Sequence, residues 1–304
     1  NMKIGSIPFR PITIADKEII TSYTFSSNLR NCDFSFANIC SWRFLYDSEF
    51  AVVNDLLLIR FWIDEGRVAY MMPVGSGNIV QAIRELEQDA ERQEHALCIL
   101  GVSSDSKNFL ESVFPQEFKF IPERDYYDYI YLRDDLIRLA GKKYQSKRNF
   151  INRFMQAYPQ YAFTAITPEI VPQCLELESV WCKENGCEED EALLNERRSM
   201  TFALNHYEEL DILGAALWVD GKIVAFTYGA PINGDTFGVH VEKADTTIEG
   251  AYQVINKLFA ELIPEKYVYI NREEDLGLPG LRKSKLSYHP YILLEKYAAI
   301  KFRE

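Results

Sequence analysis

Nothing in this 304-residue sequence approaches the roughly 20 consecutive apolar residues that a membrane-crossing helix needs, and runs such as Leu56–Ile59 suit a strand. No charged segment followed by an apolar stretch opens the chain, so no secretory signal is expected, and a cytoplasmic protein without integral membrane contact is the default. Positive charge is scarce as well: 33 Lys and Arg stand against 45 Asp and Glu, a net charge of -12. A broad basic surface for DNA is therefore excluded, and any anionic ligand must meet a local basic patch. The six cysteines (Cys32, Cys40, Cys98, Cys174, Cys182, Cys187) contain no C-x-x-C pair and are sparse for a disulfide framework. Mostly reduced, buried thiols are expected. Cys174, Cys182 and Cys187 with His206 match no common zinc spacing, so no metal site is expected. A P-loop and a nucleophile elbow are also missing, which sets aside NTPase and hydrolase readings.

What is present is a core. Hydrophobic residues make up 47% of the chain and aromatic residues 13%, enough for two packed domains and too apolar for disorder. In the second half, periodicity predicts helices over 168–184 and 190–207, then strands over 211–219, 222–230 and 236–241. Asp220-Gly221 and Asn233-Gly234 are hairpin signals between those strands. A helix over 247–263 follows, with Thr246 and Glu249 spaced as a capping box, then a strand over 267–270, a short helix near 280–286 and a strand over 291–297. The first half repeats that order, with Asn54-Asp55 and Glu65-Gly66 as turns and a last strand over 127–132. Two copies of one α/β unit, residues 1–135 and 159–304, account for the length, joined by a basic helix over 136–158.

The stretch from Tyr267 to Tyr288 places a buried strand directly before Asn271, Arg272, Glu273, Glu274 and Asp275, then Arg282 and Lys285. Charges crowded at the carboxyl end of a strand mark the rim of a ligand crevice in open α/β sheets. Glu242, at the exit of the third meander strand, is the first candidate for a general base and Asp275 the second. His240, two residues earlier, is expected on the same side as Glu242 by strand alternation. Tyr288 is a candidate proton donor, and Arg272, Arg282 and Lys285 are candidates for binding an anionic substrate. Glu273, Glu274 and Asp275 read as a solvated acidic loop in preference to a metal site. The connector holds no acidic residue between Leu136 and Pro168, and on its helix Lys147 and Arg148 flank an apolar stripe, so Lys147, Arg148 and Asn149 are expected at a cleft between the units.

The element order, with KKYQSKRNFINRF (Lys142 to Phe154), EKADTTIEGAYQVINKLFAE (Glu242 to Glu261) and NREEDLGLPGLRKSKLSYHP (Asn271 to Pro290), resembles the C-terminal catalytic domain of bacterial phosphatidylglycerol lysyltransferases. In architecture it is also similar to Fem-type aminoacyltransferases. That resemblance implies an α/β (α+β) fold of two tandem GNAT-like acyltransferase units, each a mixed, mostly antiparallel sheet flanked by helices. It implies transfer of an activated acyl group from acyl-CoA or aminoacyl-tRNA to an amine or hydroxyl, with the active site in the second unit and no tightly bound cofactor. The donor is then expected near Thr246, Thr247, Gly250 and Tyr252, although Lys243 to Tyr252, with Gly250 as its one glycine, departs from the GNAT pyrophosphate loop Q/R-x-x-G-x-G/A. Asn271 joins the set as the first residue of the charged segment. Two alternatives accompany this reading: a degenerate pair that only binds an anionic ligand, and lipid aminoacylation at a membrane surface.

Overall fold

The computed structural model describes residues 6–303, so the outermost residues of both expected units, 1–5 and 304, lie outside it. Short polar turns set the hairpins of each half. Asn54 and Asp55 have φ of 50° and 61°, and Asp220 and Gly221 have φ of 50° and 75°. Those left-handed pairs are what a two-residue hairpin requires, because their twist matches that of the strands they join.

In chain order the first part contains β1 (Arg10–Pro11), α1 (Lys17–Thr24), α2 (Phe36–Ser41), α3 (Arg43–Tyr46), β2 (Glu49–Val53), β3 (Leu56–Ile63), β4 (Arg67–Tyr70) and β5 (Val74–Gly75). It continues with α4 (Ile79–Arg92), β6 (Cys98–Val102), α5 (Ser104–Val113), β7 (Phe118–Pro122), β8 (Asp128–Leu132), α6 (Arg133–Arg138) and α7 (Gln145–Ala157). The second part contains β9 (Ala162–Ala165), α8 (Val171–Glu184), α9 (Glu191–Asn205), β10 (Leu213–Val219), β11 (Lys222–Pro231) and β12 (Thr236–Ala244). It ends with α10 (Ala251–Leu262), β13 (Tyr269–Asn271), α11 (Pro279–Leu286), β14 (Ile292–Leu294) and β15 (Tyr297–Lys301).

The strands form two mixed sheets, β1-β2-β3-β4-β6-β15-β7 with β5 beside β3, and β14-β8-β13-β12-β11-β10-β9. The chain has the tandem GNAT-like fold. The sheets do not divide at residues 135 and 159, because each takes a strand from the other half. β8 pairs with β13 and β14 in the second sheet, while β15 pairs with β6 and β7 in the first. The strand expected over 291–297 is thus two strands in different sheets, parted at Glu295 and Lys296.

Three apolar clusters follow from this layering. One lies under α4 and α5 on the first sheet, around Leu86, Ile99 and Phe114, and another under α7 and α10 on the second, around Phe154, Val254 and Phe259. The third is shared: Phe36 and Ile39 of α2 pack with Phe50 and Leu57 of the first sheet, and with Met200 of α9 and Phe226 of the second. Burying all these side chains in one continuous layer makes the unit-to-unit contact a core and not a hinge.

Two local expectations fail for stated reasons. Asn233-Gly234 is not a two-residue hairpin: Asn233 Nδ2 donates to Leu29 O (2.9 Å) and Gly234 N–H to Phe25 O (3.1 Å), docking the turn on the first unit. The Thr246/Glu249 capping box does not form. Asp245 Oδ1 instead accepts from Thr247 N–H and Oγ1 (2.9 and 2.7 Å), and the helix starts four residues later, after left-handed Gly250 (φ 85°).

Candidate active site between diverging strands

β12 and β13 run parallel only from Thr236, Phe237 and Gly238 opposite Tyr269, Ile270 and Asn271. Beyond that register β12 continues to Ala244 while β13 ends at Asn271 and the segment after it turns away, which opens a wedge at the carboxyl ends of the two strands. A β-bulge lies at its mouth: Val241 faces Tyr228 and Val239 faces Gly229, leaving His240 unpaired. Glycine is required there, since a Cβ on Gly229 would come 1.8 Å from the Gly238 carbonyl. The extra residue shifts the alternation. His240 therefore faces Ser35 of the first unit, not the side of Glu242, which corrects the expectation from simple alternation.

Glu242 lines the wedge. Its carboxylate accepts from Arg272 Nη2 (3.2 Å) and from Asn256 Nδ2 of α10 (3.3 Å). Arg272 and Asn256 each keep a second buried polar atom, Nη1 and Oδ1, without a hydrogen-bond partner. The Arg272 guanidinium lies 5.0 Å above the Tyr288 ring and 5.6 Å from that of Tyr131. On the other side, Lys147 Nζ lies 4.2 Å over Tyr288 and bonds Ser287 Oγ at 2.7 Å. Burial and the neighbouring Arg272 lower the Lys147 pKa. Burial pulls the Arg272 pKa down, but Glu242, with Tyr131 and Tyr288 adding to it, holds it above its ordinary value. Two cations stacked on one phenol, with one carboxylate between the strands, make a desolvated polar pocket.

The other charged residues of the segment build its walls. Asp275 is fully buried and saturated, accepting from Tyr129 OH (2.6 Å), Arg282 Nε (2.9 Å), Arg124 Nη1 (3.0 Å) and Gly277 N–H (2.8 Å). Burial alone would push its pKa up, but the bonds from Arg282 and Tyr129 hold it well below the usual range. A carboxylate so held has neither a free lone pair nor proton affinity, so Asp275 is withdrawn as a base. Arg282 is spent on Asp275 and Asp125, and Lys285 Nζ bonds the Arg272 and Glu274 carbonyls (2.5 and 2.6 Å). Both shape the loop and do not reach into the wedge.

Beneath that loop lies a buried ionic cluster. Lys296 Nζ contacts Asp128 Oδ1 and Asp33 Oδ2, both at 2.8 Å, and lies 3.8 Å from Cys32 Sγ. Asp128 Oδ2 also accepts from Cys32 N–H (2.8 Å) and Asn271 Nδ2 (2.9 Å). Burial pushes the neighbouring Glu274 carboxyl up to about 8, against the pull of Lys296 and with Asp128 adding to the rise. The folded protein thus holds a proton that the unfolded chain has lost between pH 4.5 and 8. Stability is expected to fall as pH rises through that window, by at most about 1.4 kcal/mol per pH unit from this group. The side chain keeps 18% exposure, so the measured slope should be smaller. Urea midpoints between pH 5 and 8 check this, and Glu274→Gln should flatten the slope; an unchanged slope in the variant would remove Glu274 as its source.

A second chain of bonds ties the units together. Ser35 Oγ lies 2.7 Å from His240 Nε2, and His240 Nδ1 lies 2.8 Å from Glu273 Oε2, which also accepts from Asn38 Nδ2 (2.8 Å). The residue types are those of a hydrolytic triad, yet Ser35 is 0% exposed and accepts the Asn38 N–H as the N-cap of α2. Its hydroxyl is taken up by His240 and by the cap of α2, so the chain of bonds joins the units.

The sequence family described as phosphatidylglycerol lysyltransferase, C-terminal, matches residues 25–300. The chain belongs to that family. A conserved protein of unknown function from Bacteroides thetaiotaomicron is 55% identical, with a TM-score of 0.95 over 97% of this chain and 100% of that one. The C-terminal domain of a proposed lysylphosphatidylglycerol synthetase from Agrobacterium fabrum is 13% identical, with a TM-score of 0.66 over 96% and 93% of the two chains. L-PGS from Bacillus licheniformis is 15% identical, with a TM-score of 0.62 over 90% and 92%. The last two likenesses concern the fold. An uncharacterized protein of Mycoplasmoides gallisepticum is 25% identical over 171 residues, and the chain spans about half, 54%, of that relative's length. Among the described residues no helix is long and apolar enough to cross a membrane.

Within this lysyltransferase-family unit the expected site residues separate. Glu242, Arg272, Tyr288 and Lys147 meet in the wedge, and Tyr252 packs in the core beside it. Tyr288 is buried and its pKa is raised by desolvation, so it serves as a floor for the two cations and is withdrawn as a proton donor. Arg148 turns away, donating to the Leu139 and Gly141 carbonyls (both 2.6 Å), and Asn149, Thr246 and Thr247 are exposed. Asn271 is fully buried and serves the Asp128 cluster. Gly250 packs against α7, where a Cβ would come 2.6 Å from the Phe150 carbonyl.

Asn256 was not anticipated, and its signal is an amide among the apolar positions of α10. Asp128 inside DYIYL and Lys296 between two strands offered the same kind of signal, a charge interrupting an apolar run. Cys182 and Cys187 form a disulfide, against the expectation of thiols, while Cys32, Cys40, Cys98 and Cys174 are free. His206 bonds Glu209 (3.1 Å) at a cleft of about 320 Å³ that shares no residue with the wedge.

Proposed function

We propose that the wedge transfers an aminoacyl group from an activated ester to an amine or hydroxyl acceptor. The observation that carries this is the pair of unpartnered buried atoms on either side of Glu242, the donor Arg272 Nη1 and the acceptor Asn256 Oδ1. A buried donor and a buried acceptor left open together suit a ligand that carries both an acceptor and a donor. An aminoacyl ester does: its carbonyl oxygen faces Arg272 Nη1, and its α-ammonium faces Asn256 Oδ1 and the Glu242 carboxylate. As the acceptor attacks, Arg272 Nη1 opposes the developing oxyanion and Glu242 receives the acceptor's proton; collapse of the intermediate breaks the ester C–O bond, and Glu242 returns that proton to the departing hydroxyl oxygen.

An acyl-CoA donor fits less well. Its pyrophosphate needs open backbone N–H groups at the start of α10, and the glycine there is packed against Phe150 of α7. Incubation with labelled aminoacyl-tRNAs and with acyl-CoAs, in the presence of amine and hydroxyl acceptors, separates the two. Ester consumption above the spontaneous rate is expected with the first and no thioester loss with the second; the reverse result would overturn the donor assignment. Glu242→Gln should lower turnover at least about 100-fold while the fold stays intact, within the range of general-base loss. Wild-type turnover in that variant would remove Glu242 from the chemistry.

The rim favours a lipid acceptor. Leu276, Leu278, Leu281 and Leu286 are 37–54% exposed around α11, whose Lys285 holds the Arg272 carbonyl. An apolar rim beside the wedge suits an acceptor with a hydrocarbon portion. Co-sedimentation with phosphatidylglycerol vesicles is expected to weaken when Leu278 and Leu281 are both changed to serine. Equal recovery with and without the leucines would sink the lipid reading.

A further inference from the structure

The carboxyl end of α8 carries a polar group that the transfer site does not use. Glu178 is 1% exposed, and its Oε2 is buried without a hydrogen-bond partner. Cys182 lies four residues on, on the same helix face. Cys187 is brought back to that face by a short turn after left-handed Gly186 (φ 68°). A Glu178 carboxylate oxygen and the two sulfurs all lie within 4.8 Å of one another, and all three residues are buried. The sulfurs are joined as a disulfide with a Cα–Cα distance of 5.0 Å.

A disulfide does not account for the carboxylate. Buried carboxylates are ordinarily satisfied, by hydrogen bonds or by a cation. Two sulfurs and a carboxylate oxygen at this spacing are a donor set for zinc. We propose that Glu178, Cys182 and Cys187 form a zinc site that opens when the Cys182–Cys187 disulfide is reduced, so that a metal tie replaces the covalent one.

The exchange balances with a dithiol as reductant. Two electrons break the Sγ–Sγ bond, each sulfur takes a proton, and the dithiol leaves as its own disulfide. Zn²⁺ then displaces the two thiol protons, Glu178 supplies the third ligand and water the fourth. The sulfurs move to roughly 3.8 Å apart, as ~2.3 Å Zn–S bonds in a tetrahedron require, and Gly186 is the joint that lets Cys187 move. Two thiolates and a carboxylate exceed the charge of the metal by one. Lys243 and Arg197 act electrostatically on Glu178, opposed by Glu196, which pairs with Lys243, and the one positive charge left over offsets that excess.

Co²⁺ and Zn²⁺ alone serve as probes on the whole protein, freed of metal and either oxidised or reduced with a dithiol that is then removed. The reduced protein should bind one Co²⁺ with thiolate-to-cobalt charge-transfer absorption, which Zn²⁺ abolishes, and the oxidised protein should show none. Glu178→Gln should weaken Co²⁺ binding at least tenfold, and joint Cys182→Ser and Cys187→Ser should remove the charge-transfer band. Alkylation of reduced wild-type protein gives a reading independent of variant folding: Zn²⁺ should protect Cys182 and Cys187. Absence of the band in reduced wild type, its persistence in the double variant, or unprotected Cys182 and Cys187 would each overturn the site.

Discussion

Lys296→Met is expected to destabilise the protein by about 3–5 kcal/mol, because it strands a carboxylate that water cannot reach. Asp128 is 0% exposed and the Lys296 side chain 3%. Their contact joins the strands that exchange sheets, since Asp128 opens β8 in the second sheet and Lys296 immediately precedes β15 in the first. A loss of that size is a large part of the 5–15 kcal/mol typical of a whole domain. Urea titration at pH 7 measures it, and adding Asp128→Asn should restore part of the loss by removing the stranded charge. A Lys296→Met midpoint equal to wild type would show that the cluster is solvated or compensated and not a keystone.

That exchange of strands shows where reading the sequence reaches its limit. Periodicity places the meander β10-β11-β12 and helices such as α9 within a few residues of their observed positions, because alternation and the 3.6-residue repeat are local properties. Which sheet a five-residue strand such as Asp128–Leu132 joins is not local. Its apolar face fits either sheet, and only pairing with Tyr269–Asn271 and Ile292–Leu294 decides the matter. The repeat of element order was therefore legible, while the boundary between units was not.

The site divides in the same way. Glu242 and Arg272 could be singled out because each sits at a strand end in a crowd of charges. The roles of Asp275, Arg282 and Lys285 depend on partners about 150 residues away, such as Arg124 and Tyr129, or on backbone carbonyls that carry no sequence signal. His240 was misplaced by one residue of bulge, a shift encoded only in the facing glycines Gly229 and Gly238. Charge density in the sequence thus located the loop, and the fold then assigned most of its charges to holding that loop.

One guanidinium remains for chemistry, and Arg272→Lys isolates it. Lysine keeps the positive charge beside Glu242 and the stacking on Tyr288, but it has no planar second nitrogen to occupy the position of Nη1. If Nη1 opposes a developing oxyanion, kcat/KM for the aminoacyl ester should fall about 10²–10³-fold, the cost of removing one such donor. The loss should appear mainly in kcat, with a smaller rise in KM, because Nη1 bonds the developing oxyanion more strongly than the ground-state carbonyl. A loss confined to KM would limit Nη1 to binding the ground-state carbonyl and remove its oxyanion role, and activity within twofold of wild type would remove it from the site. Thermal melts within a few degrees of wild type are expected in parallel, since Glu242 retains a cationic partner, and they separate loss of chemistry from loss of fold.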